Sequence, residues 1–149
     1  MQDFVDQMDE DTARIGIVAF ADQVREVLPL TGDFGRVRQV ISGLAEVDVG
    51  VCNEAQPFTA AYGMLRKRES DVRYIVVLTD GCWSNTSYAV DAAERCHRSE
   101  MEVMALGFGS ADYDFLKKIA STDDFAALTD LSQLGSTFSK IAQAIGEGS

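Results

Sequence analysis

Histidine and tryptophan each occur once in the 149 residues, and proline only twice. The cysteines number three, too few and odd in count, so a disulfide framework is not what holds the chain together. No apolar run approaches the ~20 residues that cross a bilayer. The first eleven residues carry Asp3, Asp6, Asp9, Glu10 and Asp11 and no base, unlike the basic-then-apolar start of a secretory signal. No membrane contact is therefore expected, and the cysteine usage points to the reducing cytoplasm. Cations are scarce: 13 Lys and Arg stand against 24 Asp and Glu, a net charge of −11. Such a chain lacks the basic face that nucleic acid requires. Its one basic cluster is Arg66-Lys67-Arg68 with Arg73 nearby, interleaved with Glu69 and Asp71. That cluster reads as a solvated helix end, where cations complement the helix dipole. Also missing are a nucleophile elbow, a Gly-rich phosphate loop, a His-rich cluster and a C-x-x-C pair.

The length suits one domain, expected over 1–146, with 1–11 closing a first helix and 147–149 a flexible tail. Hydrophobic residues make up 46% and charged residues 25%, a balance that supports a packed core rather than disorder. Arg14 to Phe20 is almost continuously apolar and reads as a strand buried on both faces. Val24 to Leu30 follows after a short link. Its mixed polarity and Pro29 predict an antiparallel edge strand. Asp33 caps a predicted helix with Phe34, Val37, Val40, Ile41 and Leu44 on one side. A second helix is expected from about Glu54 to Arg68, with Phe58, Ala61, Tyr62 and Leu65 inward, Asn53 as its cap and Pro57 in its first turn.

Val72 to Leu78 reads as another buried strand, ending at Thr79-Asp80-Gly81. Residues 86–98 suit a helix with Ala89, Val90, Ala93 and His97 on one side. Met101 to Phe108 reads as a strand, Asp112 to Ala120 as a helix burying Phe115, Leu116 and Ile119, and Phe125 to Leu128 as a short strand. Asp130 caps a last helix with Leu131, Leu134, Phe138, Ile141 and Ile145 inward. Strands alternating with helices predict an α/β fold: a doubly wound, mostly parallel sheet with helices on both faces and one antiparallel edge strand.

Ligands of such sheets bind beyond the carboxyl ends of the strands. Asp80 is the carboxylate placed directly after a buried strand. It can be a cation ligand, a nucleophilic carboxylate or simply a turn former. Trp83 and Ser84 follow it, and an exposed Trp there would serve as an interaction anchor. The alternative is that Trp83 shields the core. Cys52 and Cys82 are expected in loops flanking Asp80, which allows a soft-metal or redox site or, more simply, inert thiols. His97 reads as a satisfied boundary residue.

The joint order of Arg14–Phe20, Val27–Thr31, Ile75-Val-Val-Leu-Thr-Asp-Gly81 and Val103-Met-Ala-Leu-Gly-Phe-Gly109 resembles a von Willebrand factor type A domain, from about Gln2 to Ile145. The resemblance implies a Rossmann-like sheet of six strands and a non-enzymatic domain that binds a protein partner, often through Mg²⁺ or a similar divalent cation. It also implies a metal ion-dependent adhesion site built from an Asp-x-Ser-x-Ser loop, a threonine and an aspartate. Asp80 matches the aspartate. Cys52 stands where the threonine belongs and Asn53 follows it. No central strand with Asp-x-Ser-x-Ser precedes Arg14, so the domain reads as N-terminally truncated. The site reads as degenerate, with Mg²⁺ binding weak or absent, since a thiol suits a hard cation poorly.

The strand gap has three expected resolutions. The chain is a truncated form of a longer protein, its two facing strands pair directly into a five-strand sheet, or another chain fills the gap, as in a homodimer through unpaired strand edges. Two further readings stay open. One is an α/β enzyme or switch that accepts a phosphoryl group on Asp80, although Gly107-Phe108-Gly109 lacks the lysine a receiver-like domain needs. The other is a structural remnant completed by a second chain.

Overall fold

The structure is a computed structural model, and the residues described are 13–43, 55–68, 73–79, 83, 86–107, 111–128 and the single positions 133, 136 and 140. The expected first helix, the tail and all of the last helix but those three single positions lie outside the described residues. The chain order is β1 (Ile15–Phe20), β2 (Val24–Thr31), α1 (Phe34–Ser42), α2 (Phe58–Leu65), β3 (Tyr74–Thr79), α3 (Thr86–Arg98), β4 (Glu102–Gly107), α4 (Tyr113–Ile119) and β5 (Ala126–Leu128). Helices alternate with strands in the second half, and β3, β4 and β5 form a parallel sheet in that order. Tyr74 is in register with Glu102, and Ala105 with Ala126. β1 and β2 form a separate antiparallel pair, from Ile15 opposite Thr31 to Phe20 opposite Val24. The α/β architecture expected from the alternation is therefore present, as a parallel sheet of three strands plus an antiparallel pair. No helix among the described residues is long and apolar enough to cross a membrane.

Local chemistry explains the helix starts. Asp33 Oδ1 accepts from the Arg36 amide at 3.1 Å, and Asp112 Oδ1 from the Asp114 and Phe115 amides at 3.0 and 3.4 Å. Both are side-chain caps that satisfy orphan donors of a first turn. α2 begins later than its periodicity predicts. Gln56 Oε1 accepts from the amides of Phe58 (2.6 Å) and Thr59 (3.1 Å), so the helix opens at Phe58 with Pro57 at its cap. Its far end tightens into a turn of 3-10 helix over Arg66–Arg68.

α3 covers the expected span and closes in a Schellman motif. The Met101 amide donates to the Cys96 carbonyl and the Glu100 amide to that of His97. His97 Nε2–H donates to the Ile119 carbonyl at 2.9 Å, tying α3 to the end of α4. β4 is flanked on both sides and is buried from Val103 to Gly107. A Cβ on Gly107 would lie 2.6 Å from Leu116 Cδ1 and 2.8 Å from Ala111 Cβ, so α4 can seat only against a glycine here.

Two strand expectations need correction. The apolar run of β1 predicts burial on both faces, yet every residue from Ile15 to Phe20 is only half-buried. β3 alternates, with Ile75, Val77 and Thr79 buried and Tyr74, Val76 and Leu78 half-buried. The cause is pairing. Among the described residues β1 has a ladder partner on one side only, β2, β3 has only β4, and no ladder joins β1 to β3. Direct closure into a five-strand sheet is thus not what these residues adopt.

The core is correspondingly double. One cluster packs Leu28, Phe34 and Val37 under the β1–β2 pair. The larger one runs from Phe58 through Ile75, Val77, Ala93, Cys96 and Val103 to Leu116 and Ile119, with Trp83 inside it. Trp83 is 4% exposed. Its ring meets Phe20 of β1 edge-on (5.1 Å), Phe115 of α4 edge-on (5.0 Å) and Phe58 of α2 (6.0 Å). α2 completes the junction, touching β1, β2 and α3. Gly16 permits this, since a Cβ there would meet Met64 Sδ at 2.9 Å.

Two outcomes follow from this packing. The only tryptophan reports directly on the aromatic junction: native emission should be blue-shifted and poorly quenched by acrylamide, and Trp83→Ala should cost about 3–5 kcal/mol in denaturant unfolding. Cys96 is wholly buried, with Sγ 3.8 Å from the Phe58 carbonyl, and burial pushes its thiol up to about 11. The neutral thiol is the form the fold favours, so its stabilisation is complete below the unfolded thiol's pKa, about 8.5, and fades as pH rises toward 11. Melting temperature should therefore fall across that window by more in the native chain than in Cys96→Ala, and Cys96 should resist alkylation at pH 8 until the chain is unfolded.

Candidate functional site

The carboxyl ends of β3, β4 and β5 are Thr79, Gly107 and Leu128. At this pole Thr79 is buried, and its Oγ1 accepts from Trp83 Nε1–H at 3.0 Å. A strand-end hydroxyl and a core indole thus hold both ends of the short link that contains Asp80. Trp83 therefore does not serve as an exposed anchor. Its ring is sunk among Phe20, Phe58 and Phe115, because an indole with a partner for its N–H is more stable inside than in water. That corrects the expectation of an interaction surface at this residue and leaves the core-shielding alternative standing.

The second candidate segment is held from the same side. The Ala55 amide donates to the Ala21 carbonyl, just past β1, at 2.8 Å, and Gln56 caps α2 immediately afterwards. Phe20, next to Ala21, is the residue that packs on Trp83. The anchors of the segment preceding Ala55 and of the link preceding Trp83 therefore meet at one pole of the sheet. Asp80, Cys52, Asn53, Cys82 and Ser84 themselves lie outside the described residues. Among the described residues no three His, Cys, Asp or Glu side chains converge in a way that could hold a metal ion.

Other chemistry is placed elsewhere. Cys96 sits in the core as a free thiol. Lys117 engages Asp114 at 3.6 Å and lies 5.1 Å from the Tyr113 ring centroid, on the exposed side of α4. Two residues of this pole carry no warning in the sequence. Gln56 caps a helix although capping favours Ser, Thr, Asp and Asn. Thr79 looks like the last residue of a strand, and only the single Trp four residues on hints that its hydroxyl has a partner.

The model of the von Willebrand factor type A domain family matches residues 1–140. No curated protein matches the sequence. Solved structures share the fold at low identity. A von Willebrand factor type A protein from Catenulispora acidiphila superposes with a TM-score of 0.77 at 15% identity, over 95% of this chain and 35% of that one. The vWF domain of the type V pili tip protein Mfa5 from Porphyromonas gingivalis gives 0.82 at 12%, over 99% and 86%. Proximal thread matrix protein 1 of the mussel byssus, described with a zinc-occupied MIDAS motif, gives 0.78 at 20%, over 95% and 38%. The chain thus spans about a third of the first of these proteins and most of the second. With the family's pattern matched along nearly its whole length and the strand and helix order in agreement, this chain belongs to the von Willebrand factor type A domain family.

Proposed function

We propose that the chain is a non-enzymatic protein-interaction domain whose adhesion site, at the carboxyl pole of the sheet, is degenerate. The observation that carries this reading is the meeting of the two loop anchors. Phe20 and Ala21 on one side and Thr79 and Trp83 on the other meet at one pole, and Ala55, bonded to Ala21, and Thr79 are close neighbours in sequence of Asn53 and Asp80. The donor set does not suit Mg²⁺. It offers one carboxylate, Asp80, one amide, Asn53, and the thiol of Cys52 in place of a hydroxyl, whereas Mg²⁺ prefers hard oxygen ligands in near-octahedral array. Partner binding at this pole then rests on shape and hydrogen bonding and persists in a chelator. The cysteine usage supports a reducing, cytoplasmic setting.

The half-burial of every β1 residue favours a second element of the reading, association of two copies through the edges of β1 and β3 that pair with no other described strand. Unpaired strand edges recruit other strands because their N–H and C=O groups otherwise face only solvent.

Calorimetric titration with Mg²⁺ and Mn²⁺ should show no saturable binding at micromolar concentration, and micromolar affinity that vanishes in Asp80→Ala would overturn the degenerate site. Sedimentation equilibrium should show a mass rising with concentration, and a clean monomer at the highest concentration would overturn the paired edges.

A further inference from the structure

The opposite pole of the sheet, where β3 and β4 begin, gathers charge that the sequence disperses. An open cavity of about 410 Å³ is lined by Tyr62, Arg66, Arg73, Arg98, Ser99, Glu100 and Met101. Among the described residues, three arginines from three segments of the chain thus border one cavity with Glu100 as its one carboxylate, while Glu69 and Asp71, between Arg66 and Arg73 in sequence, lie outside the described residues. Arg95 adds a fourth, 4.2 Å above the Tyr62 ring. These four belong to the 13 cations of a chain whose net charge is −11. The basic cluster read as a solvated helix end is therefore half of a larger group, completed by the last turn of α3.

Capping accounts for part of this arrangement. Arg73 is 7% exposed; its Nη2 donates to the Ser99 carbonyl at 2.6 Å and its Nη1 to the Leu65 carbonyl at 3.3 Å. That one side chain serves the carbonyl ends of both α2 and α3. Its Nε–H, however, is buried and has no partner among the described residues, although an unpaired buried donor is costly. No carboxylate among the described residues pairs with Arg66, Arg73 or Arg98. Glu100 holds a positive φ of 63° at the Schellman position that favours glycine, which places a strained residue with a side chain at the cavity's rim. Hydrogen bonds to Ser99 first and Arg95 second hold the Tyr62 phenol below its usual pKa.

We propose that this cavity is a binding site for a small polyanion, a ligand presenting a phosphate group or clustered carboxylates to Arg66 and Arg98, with the buried Arg73 adding its charge from the cavity wall. Planar guanidinium forks match both kinds of oxyanion, and the volume lies within the range of small-molecule pockets, about 300–1,000 Å³. Glu100 acts against the ligand's charge and limits affinity. Occupancy at this pole would bear on the ends of α2 and α3, the helices that flank the aromatic junction, and is independent of metal or partner binding at the carboxyl pole.

The test is calorimetric titration of the full chain with pyrophosphate and with citrate at low ionic strength, where surface electrostatics are least screened. Saturable binding of either probe is expected, the stronger of the two identifying phosphoryl or carboxylate chemistry as the source. The Arg66→Gln/Arg98→Gln double variant should lose at least about tenfold in affinity, one unit of log K for charge-assisted contacts, while keeping its circular dichroism and melting temperature. Glu100→Gln should bind more tightly than the native chain. Absence of saturation with both probes, or equal affinity in the folded double variant, would overturn the site.

Discussion

Trp83 lies where the two sets of strands meet. The β1–β2 pair has its own small core against α1, and the β3–β4–β5 sheet has a larger one against α3 and α4. No backbone ladder between the described strands joins them, so side chains must. Phe20 reaches from β1, Phe58 from α2 and Phe115 from α4, and all three close on one indole. Aromatic pairs of this geometry contribute about 0.5–1.5 kcal/mol each beyond their buried area. The indole N–H finds the Thr79 hydroxyl, so the contact carries no unsatisfied donor. The joint also sets the carboxyl pole, because the residues forming it immediately border both loops of the candidate site. Packing and site are in this sense one constraint.

The two poles have opposite chemistry for a common reason. In a parallel sheet every strand ends at the same side, and the connecting helices end at the other. At the carboxyl pole, β3 is followed in sequence by the small and acidic pair Asp80-Gly81. The amino pole receives the carbonyl ends of α2 and α3, which favour cations. Arg73 exploits that by bridging Leu65 and Ser99. The remaining arginines exceed what capping needs, which is why this pole reads as a ligand site as well as a structural one.

Most of the fold was legible in the sequence because its signals are local. Asp33 and Asp112 cap the helices that follow them, and Pro29 sits on the edge strand. The paired apolar runs of β3 and β4 fall where periodicity puts them. What failed was whatever depended on long-range pairing. An apolar run reveals that a strand can be buried, not how many neighbours it has, so β1 was expected to be covered on both faces. Trp83 had two readings because position beside Asp80 cannot distinguish an anchor from a wedge; only the convergence of Phe20, Phe58 and Phe115 decides it. The cavity at the amino pole was half visible, since Arg66 and Arg73 are close in sequence, while Arg95 and Arg98 arrive only when α3 docks. Gln56 gave no signal at all.

The central claim is that side-chain packing on Trp83, not a continuous ladder, makes the two strand sets one cooperative unit. Native-state hydrogen exchange across a denaturant series tests it most directly. The ladder amides of β1–β2 and those of β3–β4 should merge into a single opening with the same free energy and the same denaturant dependence, as expected of one two-state domain. A β1–β2 pair that opens separately, at clearly lower free energy and with a smaller denaturant dependence than β3–β4, would contradict it.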